Sequence, residues 1–287
     1  MGRIYISSEA REELKEYLRE YLAESLKAQK DEDKGGPASH GAEAGVCGAG
    51  FRSPLPCANG PEDLGLIQVP PSALTYPAAA SHPDLYHCPI NGRMVSGEPA
   101  GYSYPHNVGF CGVQLGQYFV HNLKYTAPAL MQAVREAGLS LINVKQGYTK
   151  CSLVVVEAAL PINGAAGARD ASGANGAAGA SGAALTVGNS CVRPAVITSD
   201  RGIEKALAPY PIDVLLIRPG HVVLPGFPLG FLGGASGLVG RRVVFHGDLL
   251  AHPDFLRIRR FIEERNKEAA WFSGFPLTDI GSIVTLP

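Results

Sequence analysis

Apolar positions fall into three regimes along the chain. Between residues 8 and 30, Leu14, Tyr17, Leu18, Tyr21, Leu22 and Leu26 recur at steps of three and four, with Glu, Lys and Arg between them. That spacing predicts one amphipathic helix, with Ser8 as its N-cap. From about residue 64 onward, short β-branched runs alternate with segments of helical length, and the runs are too short to be helices themselves. Two stretches have little to bury. Residues 31–60 begin Asp31-Glu32-Asp33-Lys34-Gly35-Gly36-Pro37 and predict a flexible linker, and residues 162–192 form a Gly/Ala/Ser insert of low complexity. The expected organisation is a helical extension over 1–30, a linker over 31–60 and an α/β domain over 61–287 that carries the insert.

One supersecondary order recurs in the α/β part. After Cys151 come Leu153-Val154-Val155-Val156, the insert, Ala195–Thr198, a helix from Arg201 to Leu207, and Ile212–Ile217. The same strand, strand, helix, strand order follows Cys111, with a helix over about 126–137. It follows Ser236 again, with a helix over about 253–265, and begins once more at Ser282. The column Cys111, Cys151, Ser236, Ser282 has spacings of 40, 85 and 46. Removing about 37 inserted residues (158–194) brings the middle spacing close to the other two. Ser81-His82-Pro83-Asp84 echoes Ala251-His252-Pro253-Asp254, which predicts two helix starts with Pro at the first position. Residues 64–104 then read as another unit short of a first strand, which a final strand over 281–286 would supply. Such closure removes sheet edges.

Composition narrows the function classes. The net charge is −1 and charged residues make up 18% of the chain, so nothing would attract nucleic acid. No apolar run is long enough for a membrane span, and the helix carries mixed rather than basic charge. Its apolar stripe predicts docking onto its own domain or onto a second subunit, which makes a homodimer through this helix a candidate assembly. The sequence starts Met1-Gly2-Arg3-Ile4-Tyr5-Ile6 without an apolar leader, and its six cysteines have no metal-site spacing. Reduced thiols in a cytoplasmic protein are the expectation.

These repeats, with Lys145–Asp200, Pro219–Gly226, Gly230–Gly237 and Asp279–Ile283, resemble the pentein fold of the guanidino-group-modifying enzymes, and in particular a bacterial family of unknown function assigned to it. The resemblance implies an α/β pentein-like propeller of ββαβ units with pseudo-fivefold symmetry. It also implies a small-molecule site in a central channel, with hydrolysis of a guanidino-like or other polar metabolite as one chemistry. In those enzymes a cysteine on the last unit attacks the guanidinium carbon, a histidine of a middle unit moves the proton, and carboxylates hold the cation. Here Ser282 stands at the cysteine's place, and Gly147–Cys151 offers no histidine. A non-catalytic binding or scaffold module is therefore the alternative.

The candidate catalytic residues are Cys151, Asp279 and Ser282. Lys145 and Lys150 flank Cys151 closely enough in sequence to activate a thiolate. Lys145, Gln146, Asn107 and Ser236 are candidate ligand contacts. Gly230, Gly233, Gly234 and Gly237 match no nucleotide fingerprint and predict a tight turn at the channel. His246, Asp248, His252 and Asp254 read as a strand end and a helix start, so no metal and no cofactor is expected.

Overall fold

The structure is a computed structural model that describes residues 2–33, 65–158 and 193–286. Most of 31–60 and all of 162–192 lie outside the described residues, and so do Cys47, Cys57 and Cys191.

Short strands dominate because the β-branched runs are short. Strand β1 (Arg3–Ser7) leads through a turn into helix α1 (Glu12–Asp33), and β2 (Leu66–Val69) lies parallel to β1. Parallel neighbours need a crossover, and α1 is its helical part. β3 (His87–Ile90) and β4 (Arg93–Ser96) form a hairpin. Its two-residue loop, Asn91-Gly92, has positive φ at both positions, as the tight turn of a twisted hairpin requires.

Three sheets then repeat one plan. β5 (Val113–Leu115) and β6 (Tyr118–His121) are antiparallel, α2 (Pro128–Glu136) crosses over, and β7 (Ser140–Asn143) runs parallel to β6. β8 (Val154–Glu157), β9 (Ala195–Thr198), α3 (Arg201–Leu207) and β10 (Asp213–Leu216) do the same. So do β11 (Ser236–Val239), β12 (Arg242–Phe245), α4 (Phe255–Glu263) and β13 (Glu268–Ala270). Helix α3 starts where expected because the Asp200 carboxylate accepts from the Gly202 and Ile203 amides. The last strand, β14 (Val284–Leu286), runs antiparallel to β1.

The molecule is thus mixed α/β, with five small sheets and four α-helices among the described residues. β14 touches β3 and β11, β3 touches β5, and β8 touches β11. Apolar side chains fill the spaces between neighbouring sheets. One cluster joins Val154, Ile197, Phe245, Ile258 and Ile262, and another joins α1 to β1, β2, β12 and Ile283.

Three expectations are corrected. Residues 1–30 were expected to form a helical extension, yet β1 precedes the helix and is the central strand of a sheet. Leu14, Leu18 and Leu22 are buried against Ile6, Leu66, Val244 and Ile280, so the chain itself covers the stripe that a second subunit would have needed. Ser8 lies in the turn before the helix rather than at its N-cap. Residues 64–104 also do not make one unit. β2 belongs with β1, and β14 completes that sheet rather than the β3–β4 hairpin. The strand Ile4-Tyr5-Ile6 was passed over because two or three apolar residues carry little signal until partners lie on both sides.

Candidate functional site

Four sheets and a turn deliver side chains to one buried place. Cys111 precedes β5, Cys151 and Lys150 precede β8, Ser236 opens β11, and Ser282 precedes β14. The turn before β3 supplies His82 and Asp84. It is a single 3-10 turn over Pro83–Leu85, not the helix start that His-Pro-Asp suggested; the second copy, at 252–254, does precede α4 directly.

The column residues meet. Cys111 Sγ and Cys151 Sγ are 4.0 Å apart, and Ser236 Oγ and Ser282 Oγ both lie near the Gly233 carbonyl oxygen, at 3.3 and 3.0 Å. Asp84 stands among them. The Cys151 thiol donates to Asp84 Oδ2 at 2.8 Å, and Ser282 Oγ lies 2.9 Å from the same oxygen. The other oxygen, Asp84 Oδ1, is buried without a hydrogen-bond partner. Asp279 Oδ2 accepts from the Phe231 amide and Oδ1 from the Gly281 amide, and His82 Nδ1 lies 3.9 Å from Oδ1. His82, Cys151 and Asp279 each have a ligating atom within 4.8 Å of the other two. Cys111, Cys151, Asp84, His82, Asp279, Ser236 and Ser282 are all buried.

The backbone is shaped for this convergence. Ser282 sits at φ +68, a region few non-glycine residues adopt, and the Gly234 carbonyl accepts from its amide at 2.8 Å. A side chain at Gly234 would collide with the Asp279 carboxylate, and one at Gly233 with the Cys151 carbonyl. The glycine-rich segment is therefore the tight turn expected, and close approach is the reason for its glycines.

Electrostatics set the resting protonation. The Cys111 contact, burial and the Asp84 charge, in that order, push the Cys151 thiol well above its ordinary range. Burial raises Asp84, against the opposing pull of His82 and the Cys151 hydrogen bond. Burial lowers Lys150, against the pull of Asp84 and the thiols. A buried group resists charge until an opposite charge arrives. The site therefore rests with a protonated thiol on Asp84, and a cation brought into it favours both anions.

Four candidates were expected to contact ligand. Asn107 is buried in a hydrogen-bonded network with Thr75 and Tyr148, and Tyr148 OH in turn meets Tyr76 OH at 2.6 Å. Tyr76 and Tyr148 pack against the cluster that holds Cys111 and Cys151, so this network lies beside the site. Gln146 Oε1 accepts from the Tyr148 amide. Ser236 is in the cluster. Lys145 is exposed and lines a surface groove with Tyr104, Asn122 and Tyr125, so Lys150 is the lysine beside the thiols. His246 Nε2 accepts from the Arg11 amide, Asp248 from the Leu250 amide and Asp254 from the Arg218 amide.

His82 and Asp84 were missed as site residues. Their repeated tripeptide was visible, but its capping role explained it fully, and only the fold brings residue 84 to residues 151 and 282.

Neither a curated protein nor a solved structure matches the chain. A family model does match, over residues 93–171 and 189–284, which is more than half of the sequence and contains Cys111, Cys151, Ser236, Asp279 and Ser282. The chain belongs to that family, a family of unknown function (DUF6873).

Proposed function

We propose that the five sheets form a closed pentein-like ring and that the Cys151 cluster is a small-molecule hydrolase site on its axis. Three features support the ring: the repeated order of the sheets, the contacts among their first strands, and the completion of the β1 sheet by β14. The observation that carries the site is the meeting of Cys151, Asp84, His82 and Asp279 in one buried cluster.

The substrate class is a guanidino-like cation. The carboxylates of Asp84 and Asp279 supply negative charge, and Asp84 Oδ1 is a free acceptor. Cys151 Sγ adds to the guanidinium carbon while its proton passes to Asp84. A carbon–nitrogen bond then breaks, and the leaving amine takes a proton from His82. Water displaces the sulfur as the carbonyl forms; one of its protons restores the His82 imidazolium, the other leaves with the amine as its ammonium, and Asp84 returns to the sulfur the proton it took from it. The bound cation offsets what keeps the thiol protonated.

The test is a thermal-shift screen of guanidino compounds against matched primary amines, followed by an assay for released ammonia or amine. A guanidino compound raises Tm, C151A binds it without turnover, and D279N loses binding. One observation favours a non-catalytic module of the same fold: Ser282 occupies the place of the expected thiol. Binding without turnover by the wild-type chain supports that module, and no response to any cation refutes the site.

A further inference from the structure

We propose that Cys111, Cys151 and Asp84 form a site for a thiophilic divalent ion of the zinc type. This goes beyond the hydrolase reading and does not depend on it.

The ligating atoms of these three residues lie within 4.8 Å of one another, and all three residues are buried. The 4.0 Å between the sulfurs is close to the separation of about 3.8 Å that two thiolates have when each sits about 2.3 Å from one tetrahedral zinc ion. Asp84 Oδ2 is 2.8 Å from Cys151 Sγ because a hydrogen bond joins them. Replacing that proton by the ion opens the pair to about 3.5 Å, a movement of about 0.7 Å.

A second, independent observation points to a ligand. Asp84 Oδ1 is a buried acceptor without a partner, on the carboxylate whose Oδ2 meets the Cys151 thiol. Such an atom costs free energy that a bound cation recovers. Charge also favours a divalent ion. Two thiolates and a carboxylate carry three negative charges, of which a divalent ion offsets two. Cys151 belongs to a further group with His82 and Asp279, so another nitrogen or oxygen donor stands beside the shared sulfur. Soft sulfur with one hard oxygen suits zinc and disfavours calcium or magnesium.

Binding displaces both thiol protons to solvent, so the ion and the nucleophile exclude each other. Zinc-loaded protein has no free Cys151 sulfur with which to attack a substrate.

The test uses full-length protein carrying C47S, C57S and C191S, which removes the other candidate thiols. The reduced, chelator-stripped protein is titrated with zinc against a chromogenic chelator, and separately with cobalt(II). The expected result is about one equivalent bound, with thiolate-to-cobalt charge-transfer absorption. C111S and D84N weaken zinc binding at least about 100-fold, more than the loss of an outer-shell partner would. C88S, which removes a neighbouring buried thiol outside the group, leaves binding unchanged. Absence of the cobalt–thiolate band overturns the proposal without any site variant, so a C111S chain that fails to fold does not protect it. Binding that survives in C111S also overturns it. Turnover that zinc does not inhibit sinks the ion site and leaves the hydrolase reading standing; stoichiometric zinc binding by a protein without turnover does the reverse.

Discussion

Leu18→Ala tests whether α1 is part of the domain or an appendage. Leu18 is fully buried among Leu14, Ile6, Leu66 and Val244, in the cluster that joins α1 to the β1 sheet and to β12. The substitution removes three carbon atoms. At about 0.8 kcal/mol for each buried methylene equivalent, the transfer loss is about 2.4 kcal/mol. The cavity left between helix and sheet adds to it, for a total of about 3–4 kcal/mol. For a domain of this size that lowers Tm by roughly 6–16 °C. The control is Glu24→Ala, at an exposed position of the same helix, which stays within about 0.5 kcal/mol of wild type. The assay is thermal and urea unfolding followed by far-ultraviolet and near-ultraviolet circular dichroism. If α1 is integral, both signals shift together to lower temperature. A separate early helical transition, with near-ultraviolet signal unchanged from wild type, would refute the reasoning and restore the appendage.

Two further outcomes follow from burial and close approach. Burial lowers His121 from 6.5 to about 4, while its ring contacts Thr126 and the Gly147 carbonyl. A lowered base keeps its full contribution above pH 6.5 and loses it as pH falls toward 4, where the unfolded chain binds the extra proton. On the order of 3 kcal/mol disappears across that window, and H121Q flattens the slope of unfolding free energy against pH there. A slope unchanged in H121Q contradicts the assignment. Gly234→Ala places a methyl group against the Asp279 carboxylate and pushes it off the Phe231 and Gly281 amides. Overpacking costs about 1–3 kcal/mol, and stabilisation by a cationic ligand disappears as it does in D279N. A G234A protein that binds the ligand at full strength would show that Asp279 does not hold it.

The sequence by itself determined the local pieces. The β-branched runs at 153–156, 195–198 and 243–245 became strands. The helices expected over 126–137, 201–207 and 253–265 are found at Pro128–Glu136, Arg201–Leu207 and Phe255–Glu263. These follow from side-chain periodicity and capping, which act over a few residues. The repeat spacing also flagged Cys111, Cys151, Ser236 and Ser282, because a repeated strand entry leaves a mark at a fixed interval. Tertiary structure decided what no interval encodes. It made Ile4-Tyr5-Ile6 a central strand, since pairing with β14 and β2 supplies the hydrogen bonds and burial that three apolar residues cannot signal alone. It chose Lys150 over Lys145 by which side of the chain faces inward. It turned the His82-Pro83-Asp84 cap into two members of a buried cluster, because a charged group held 67 residues from its thiol partner in sequence and 198 from its serine meets them only when the sheets close on one another.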